Sequence, residues 1–147
     1  MIPKFRAWDS VKKEMFKDTF AITESGQVVV VEQENVVCHP DYVFVDHLVI
    51  MQSTGLFDKN GKEIFEEDVL EIQGVKMIVR FGSYKYIETS KSGNHTLGIM
   101  CDGLGFYVEC LNVAAPDRIS LFEPEILKES VVIGNIYENK EFLEEKE

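Results

Sequence analysis

Long hydrophobic runs are missing from this sequence, in which no apolar stretch exceeds four or five residues. A membrane-spanning helix needs about 20 such residues. The opening residues, MIPKFRAWDS, also contain no apolar segment of the kind that forms a signal peptide. We therefore expect no membrane association, and we expect the protein to reside in the cytoplasm.

Cysteine is scarce, and its spacing follows no known pattern. The chain has an odd number of cysteines, and no two of them form a CxxC pair: they are Cys38, Cys101 and Cys110. This argues against a disulfide framework and against a zinc ribbon. Cys38 precedes His39, but neighbours in an extended segment point to opposite faces and do not share one metal easily. The sequence thus predicts free thiols in a reducing compartment, with no metal and no cofactor.

Recognisable catalytic motifs are also lacking. There is no GxSxG elbow for a nucleophilic serine. The single GxG, at residues 103–105, is followed by neither a third glycine nor a P-loop lysine, so we interpret it as a turn that enters a strand. No catalytic residue is predicted, although the sequence does not exclude cysteines and histidines that meet only in the folded chain.

Positive charge is scarce, since the chain has 15 Lys and Arg against 26 Asp and Glu, which gives a net charge of -11. This sign opposes binding to nucleic-acid phosphates, so we expect no direct nucleic-acid binding. Residues 19–58 contain no Lys or Arg. Two interpretations stay open for this stretch: a solvated face, which is the simpler one, or an acidic surface that meets a basic partner. Its acids are Glu24, Glu32, Glu34, Asp41, Asp46 and Asp58.

What the sequence does contain is a series of short β-branched runs separated by Gly, Asn and Asp, a pattern typical of strands and turns. Residues 72–75 predict a tight hairpin in which Gly74 has a positive φ. Asn139 is the predicted N-cap of a helix over residues 140–146, and a short helix is predicted to begin at Pro124. The predicted strands cover residues 28–31, 42–51, 69–72, 75–81, 106–111 and 131–137.

These patterns predict a mainly β fold, with α+β as the alternative. We expect a small barrel-like or two-lobed β domain with a short C-terminal helix. The length of 147 residues fits one domain of ordinary size. The whole chain is therefore expected to form a single domain, with a division into two lobes near residue 55 as an alternative.

Three segments together resemble the YopX-like family of phage and prophage proteins. They are KFRAWD at residues 4–9, MQSTGLFDKNGKEIFEEDV at 51–69 and VIGNIYEN at 132–139, and they occur in the family's order across nearly the whole chain. The resemblance implies a small protein encoded by a phage or an integrated prophage, with a mainly β fold and no established activity. The family often has glycine where this chain has Glu67, and proline where it has Lys140.

The residues of these segments are candidates for interaction or for purely structural roles. Residues 58–61 have a sequence typical of a turn, since an Asp side chain can accept a hydrogen bond from the backbone N–H two residues on. Glu66, Glu67 and Asp68 are expected to form a solvated turn with one carboxylate bound to the backbone. Gly134 within an apolar strand predicts a bulge or a close backbone approach. The full set of candidates is Trp8, Asp9, Asp58, Asn60, Gly61, Asp68, Gly134, Asn135, Tyr137 and Glu138.

Two functional hypotheses follow. The first is a non-enzymatic accessory protein that binds an unidentified phage or host protein, and self-association into a homo-oligomer is a further hypothesis because short strands leave unpaired edges. The alternative is a small-ligand binder or enzyme with a pocket between two lobes. A flat apolar patch with an acidic rim would favour the first hypothesis, and a deep pocket with converging His, Cys or carboxylate groups the second.

Overall fold

The computed structural model of the chain describes residues 2–16, 19–32, 37, 39–111 and 124–144. The chain divides into two compact units. The small unit is Phe5–Met51, and the large unit combines Met1–Lys4 with Gln52–Glu147. Cys38, predicted to be a free thiol, and Glu34, one of the acids of residues 19–58, lie outside the described residues.

The small unit is built from short strands around an aliphatic and aromatic core. Strands β3 (Phe20–Ile22), β4 (Val28–Glu32) and β5 (Asp41–Val45) form an antiparallel sheet. The central strand β4 begins with four consecutive valines, whose β-branched side chains favour strands. Ala7, Val30 and Leu48 are the buried residues of the core. The strands are β1 (Phe5–Asp9), β2 (Glu14–Met15), β3 (Phe20–Ile22), β4 (Val28–Glu32), β5 (Asp41–Val45) and the start of β6 (Leu48–Phe57).

The large unit contains a four-stranded antiparallel sheet whose strands lie in the order β10 (His95–Cys110), β9 (Val75–Ser92), β8 (Asp68–Ile72) and β11 (Val131–Asn135). Alternate residues of β8 and β9 pack into two separate clusters, one containing Leu70 and Met77 and the other Val69 and Ile78, because successive side chains of a strand point to opposite faces. Its elements after β6 are β7 (Glu63–Phe65), β8 (Asp68–Ile72), β9 (Val75–Ser92), β10 (His95–Cys110), α1 (Pro124–Leu127), β11 (Val131–Asn135) and α2 (Glu141–Glu144).

The predicted mainly β fold is confirmed, with two helices of four residues each in the described part of the chain. The predicted hairpin at residues 72–75 is also confirmed, since Ile72 pairs with Val75. The predicted strand over residues 42–51 is in fact two strands, β5 and β6, which are separated at Asp46 and His47. In the part of the chain described, no helix is long and apolar enough to cross a membrane.

The prediction of a turn at residues 102–105 is wrong. Strands β9 and β10 pair without interruption from Met77 opposite Cys110 to Ser92 opposite His95, and residues 82–105 of this hairpin are called the β-arm below. A Cβ atom added at Gly103 would lie 2.6 Å from Cζ of Tyr84. The glycine therefore marks the close approach of an aromatic ring within a strand.

The predicted C-terminal helix is present, and it begins one residue later than expected. Helix α2 covers Glu141–Glu144, and the end of the predicted range lies beyond the described residues. The side chain of Asn139 turns back toward β11, where its Oδ1 accepts a hydrogen bond from Asn135 N–H at 3.3 Å. Asn139 thus stabilises the turn that precedes the helix.

The β8–β9 turn gives a test of backbone strain. Gln73 has φ +50° and Gly74 has φ +82°, a conformation that disfavours glutamine and suits Asn followed by Gly. Gln73→Asn should raise the free energy of unfolding by about 0.5–1 kcal/mol. Thermal or urea unfolding would measure this change. The matched control is Gln27→Asn, where φ is not positive; a stabilisation as large in that control would contradict the explanation.

Candidate functional site

Asp58 is a buried candidate residue, with only 6% of its surface exposed, and its carboxylate accepts three backbone hydrogen bonds. Its Oδ1 accepts hydrogen bonds from the backbone N–H groups of Asn60 at 2.9 Å and Lys62 at 2.8 Å. Its Oδ2 accepts from Val132 N–H at 2.9 Å. Burial acts to raise the pKa of Asp58, but the three backbone donors together outweigh it and hold the pKa below its ordinary value.

The other candidate residues of this segment shape the same turn. Asn60 provides a backbone donor to the carboxylate. Gly61 has φ +80° and donates its N–H to the Asp58 carbonyl at 3.0 Å, so a side chain at this position would be strained. The predicted turn at residues 58–61 is confirmed, and it connects β6 to the additional short strand β7, with Phe57 opposite Glu63. Both carboxylate oxygens of Asp58 are thus engaged in fixing backbone.

The three consecutive acids at residues 66–68 do not form a solvated turn. Asp68 is 1% exposed, and its Oδ2 accepts from Phe65 N–H at 2.8 Å. Glu66 Oε1 accepts from Gln52 N–H at 3.3 Å. Glu67 Oε2 lies 2.6 Å from a terminal nitrogen of Arg80. Each of the three acids has a defined hydrogen-bond or ion-pair partner, so the prediction of a solvated turn with one backbone-bound carboxylate is wrong.

Glu67 carries a backbone conformation that suits glycine. Its φ is +71°, which matches the glycine common at this position in the family it resembles. The conformation is held by two backbone hydrogen bonds: Glu67 N–H donates to the Val79 carbonyl at 2.8 Å, and the Glu67 carbonyl accepts from Ile136 N–H at 3.2 Å. The ion pair with Arg80 adds a third restraint. The turn before Asp68 therefore forms without glycine.

The candidate residues near the C-terminus form one closed turn. Asn135 is buried, its Oδ1 accepts from the N–H groups of Tyr137 and Glu138, and its Nδ2 donates to Glu138 Oε1 at 2.8 Å. The predicted irregularity at Gly134 is confirmed, because the β8–β11 register shifts there. A Cβ at Gly134 would lie 2.3 Å from Asn139 Oδ1. Glycine is therefore required by the closeness of the turn to the strand.

Tyr137 joins this turn to the acids of the preceding segment. Burial, followed by the negative charges of Glu67 and Glu66, raises the pKa of the Tyr137 hydroxyl, while Arg80 opposes the effect. A tyrosine with a raised pKa stays neutral at ordinary pH. The arrangement is therefore a polar contact between segments, and it provides no activated nucleophile.

Trp8 and Asp9 lie at the end of β1 in the small unit, and both are buried. The pKa of Asp9 is lowered, chiefly by the hydrogen bond from the Lys12 N–H. The Val11 N–H and nearby His47 lower it further, while burial opposes the effect. The Asp9 Oδ1 accepts both N–H groups, and His47 Nε2 lies 3.6 Å away. Asp9 thus holds the β1–β2 turn.

Groups that could support catalysis are dispersed. Among the residues described, no three His, Cys, Asp or Glu side chains are placed to hold a metal ion. Cys101 and Cys110 are free thiols, and burial followed by the charge of Glu109 raises the pKa of Cys110, which disfavours the reactive thiolate. One concavity of about 450 Å³ lies at the β3–β4 turn, where Thr23, Glu24 and Ser25 line it.

The most exposed aromatic side chains of the small unit lie on β5. Tyr42 and Phe44 are 66% and 65% exposed. They lie opposite Val31 and Val29 in the β4–β5 register, so all four side chains share one face of the sheet. We call Tyr42 and Phe44 the aromatic patch. Both residues lie in the predicted strand over residues 42–51, but their exposure is not predicted. The signal that could have indicated it is the pair of flanking acids, Asp41 and Asp46.

The comparisons with known proteins concern nearly the whole chain. A family model described as YopX protein matches residues 4–144. The chain is also similar to a solved structure described as protein EF1440 from Enterococcus faecalis, with 30% sequence identity, coverage of 97% of this chain and 99% of that chain, and a TM-score of 0.45. None of the curated proteins matches this chain.

The network around Asp58 predicts a structural cost for removing its charge. Asp58→Asn should lower the free energy of unfolding by about 1–3 kcal/mol, because the amide Nδ2 cannot accept from the buried N–H it would face. Urea unfolding followed by circular dichroism measures this. Asp102→Asn is the control, since that side chain is 84% exposed; equal losses in both variants would contradict a special role for Asp58.

The lowered pKa of Asp58 also predicts a pH dependence. Because the folded-state pKa lies below the ordinary value of 3.8, ionised Asp58 stabilises the fold above that value, and this contribution is lost as pH falls through the folded pKa. Asp9 acts in the same direction. Unfolding free energies measured from about pH 6 to about pH 2 should fall less steeply for Asp58→Asn than for the original chain. Identical slopes would contradict the assignment.

Proposed function

Because this chain belongs to the YopX family, we propose that it is an accessory protein of a bacteriophage or prophage that works in the bacterial cytoplasm. Its role is to bind another protein, and the contact does not involve catalysis. The observation that carries this proposal is the aromatic patch on β5, where two large side chains are about two-thirds exposed. Exposed aromatic residues of this kind are frequent anchors of protein interfaces.

The position of the patch supports addition of a strand by the partner. Among the residues described, β5 is the outer strand of the β3-β4-β5 sheet and has β4 as its one neighbour. An extended segment could pair with its free backbone edge, while apolar side chains of that segment contact Tyr42 and Phe44. This mode of recognition uses main-chain hydrogen bonds for affinity and side-chain contacts for specificity.

The charge around the patch favours a basic partner. Glu32 lies directly opposite Asp41 in the β4–β5 register, and like charges in that position destabilise a sheet. Asp46 follows β5 and is exposed. A partner with Lys or Arg would relieve the repulsion and would be attracted over a distance set by the salt concentration. Basic nucleic-acid-binding proteins fit this description, whereas naked DNA does not.

The proposal predicts which side chains a captured partner needs. The tagged protein and its Tyr42→Ser/Phe44→Ser variant would each be used for affinity capture from phage-infected cells, with Phe57→Ser as a matched control because Phe57 is 49% exposed in the large unit. We expect a basic protein that is retained by the original chain and by the control but lost from the double variant. Identical captured proteins from all three would contradict the proposal.

The acids should act mainly on the rate of association. With the purified partner, Glu32→Gln/Asp41→Asn/Asp46→Asn should slow association by at least about tenfold at low salt, and the difference should shrink as salt rises. Surface plasmon resonance would measure both rates. A change confined to dissociation, or tighter binding of naked duplex DNA than of the captured protein, would contradict the assignment of a basic partner.

A further inference from the structure

The β-arm extends well beyond the rest of its sheet. Strand β9 has 18 residues and β10 has 16, but β8 pairs with β9 only over Val75–Ile78. Residues 82–92 and their partners therefore form a ribbon of two strands, which spans about 36 Å at about 3.3 Å per residue. An isolated two-stranded ribbon is marginally stable in water, so a ribbon of this length is stabilised if another strand covers its edge.

The outer strand of the arm has the composition of a buried strand. Leu97, Ile99, Met100 and Leu104 of β10 are exposed, Leu104 by 76%. Strand β10 contains no Lys, Arg or Pro, although these are the residues with which proteins protect exposed edges. Among the residues described, β10 is the end strand of its sheet and pairs only with β9. Its outer backbone edge is therefore available to another strand.

The charge of the arm indicates which molecule provides that strand. Residues 82–105 contain Lys85 and Lys91 against Glu88 and Asp102, a net charge of zero, so the remaining residues carry the entire -11. Negative charge on the arm would therefore not attract a basic partner. A second copy of the chain, repelled elsewhere by its own acidity, meets no net repulsion at the arm.

We propose that β10 pairs antiparallel with β10 of a second copy across a two-fold axis, which creates the strand order β9-β10-β10-β9 at the dimer interface. Pairing over about ten residues gives on the order of ten backbone hydrogen bonds between chains, as many as a typical protein interface contains. The resulting four-stranded sheet removes the marginal stability of the isolated ribbon. The surface is independent of the aromatic patch on β5.

The sequence of β10 selects a register for this pairing. In a two-fold antiparallel pair, residues equally far from the axis on either side lie opposite each other. An axis at Asp102 would place two carboxylates opposite each other, and an axis at Cys101 would place Met100 opposite Asp102. An axis at Met100 instead pairs Met100 with its own copy and Asp102 with Gly98. Of these three positions, Met100 is the one that places no carboxylate opposite its own copy or opposite an apolar side chain, and we assign the axis there.

Charge substitutions at Met100 test the dimer and its register together. Multi-angle light scattering at micromolar concentration should give about twice the 16.8 kDa chain mass. Met100→Lys and Met100→Glu should each weaken dimerisation at least tenfold, because like charges then meet at the axis. An equimolar mixture of the two variants should restore the dimer mass. Restoration also shows that both variants are folded. Val11→Lys, at an exposed position of the small unit, is the control and should remain dimeric.

Three results would overturn the proposal. The first is a monomer mass for the original chain up to about 100 µM, a concentration at which a dimer with a Kd of a few micromolar would be largely assembled. The second is unchanged dimerisation of both Met100 variants, which would place the interface elsewhere. The third is a mixture of the two variants that stays monomeric, because opposite charges at the assigned axis must attract.

Discussion

The hydrogen bonds of the Asp58 carboxylate connect two parts of the chain that lie far apart in sequence. Asp58 and Val132 are separated by 74 positions, yet one oxygen of this side chain holds the amide of β11 while the other shapes the turn before β7. A buried carboxylate without such donors would carry a large desolvation cost. Because the donors are backbone groups of two segments, the carboxylate makes all its hydrogen bonds only when both segments are in place. The hydrogen bond from Ile136 to the Glu67 carbonyl and the β8–β11 pairing reinforce the same junction.

This arrangement gives a structural role to the buried polar residues of the segments at 4–9, 51–69 and 132–139. Asp9, Asp58, Asp68 and Asn135 each accept hydrogen bonds from nearby backbone amides, and all four are buried. They stabilise turns that the apolar core alone would leave undefined. The surfaces that we propose for binding lie on β5 and on the β-arm, outside these segments. Structural and interaction roles are thus assigned to different residues of one chain.

Much of the fold could be predicted from local patterns, because short β-branched runs and glycine turns are local signals. The hairpin at Gly74 and the irregularity at Gly134 were of this kind. The β-arm could not be predicted because Gly103 and Gly105 resemble a turn, and only the position of the Tyr84 ring reveals the role of Gly103. The bond from Asp58 to Val132 could not be predicted, since nothing in one segment identifies its partner in the other. Exposure of Tyr42 and Phe44 likewise depends on which face of the sheet meets the core.

If the Asp58 junction holds the large unit together, the Val132 amide should exchange with solvent only through global unfolding of that unit. Its opening free energy, measured by hydrogen exchange, should then equal the free energy of unfolding measured with urea. An amide at Val132 that exchanges as fast as those of exposed turns, in a protein that is otherwise fully folded, would contradict this role of the junction.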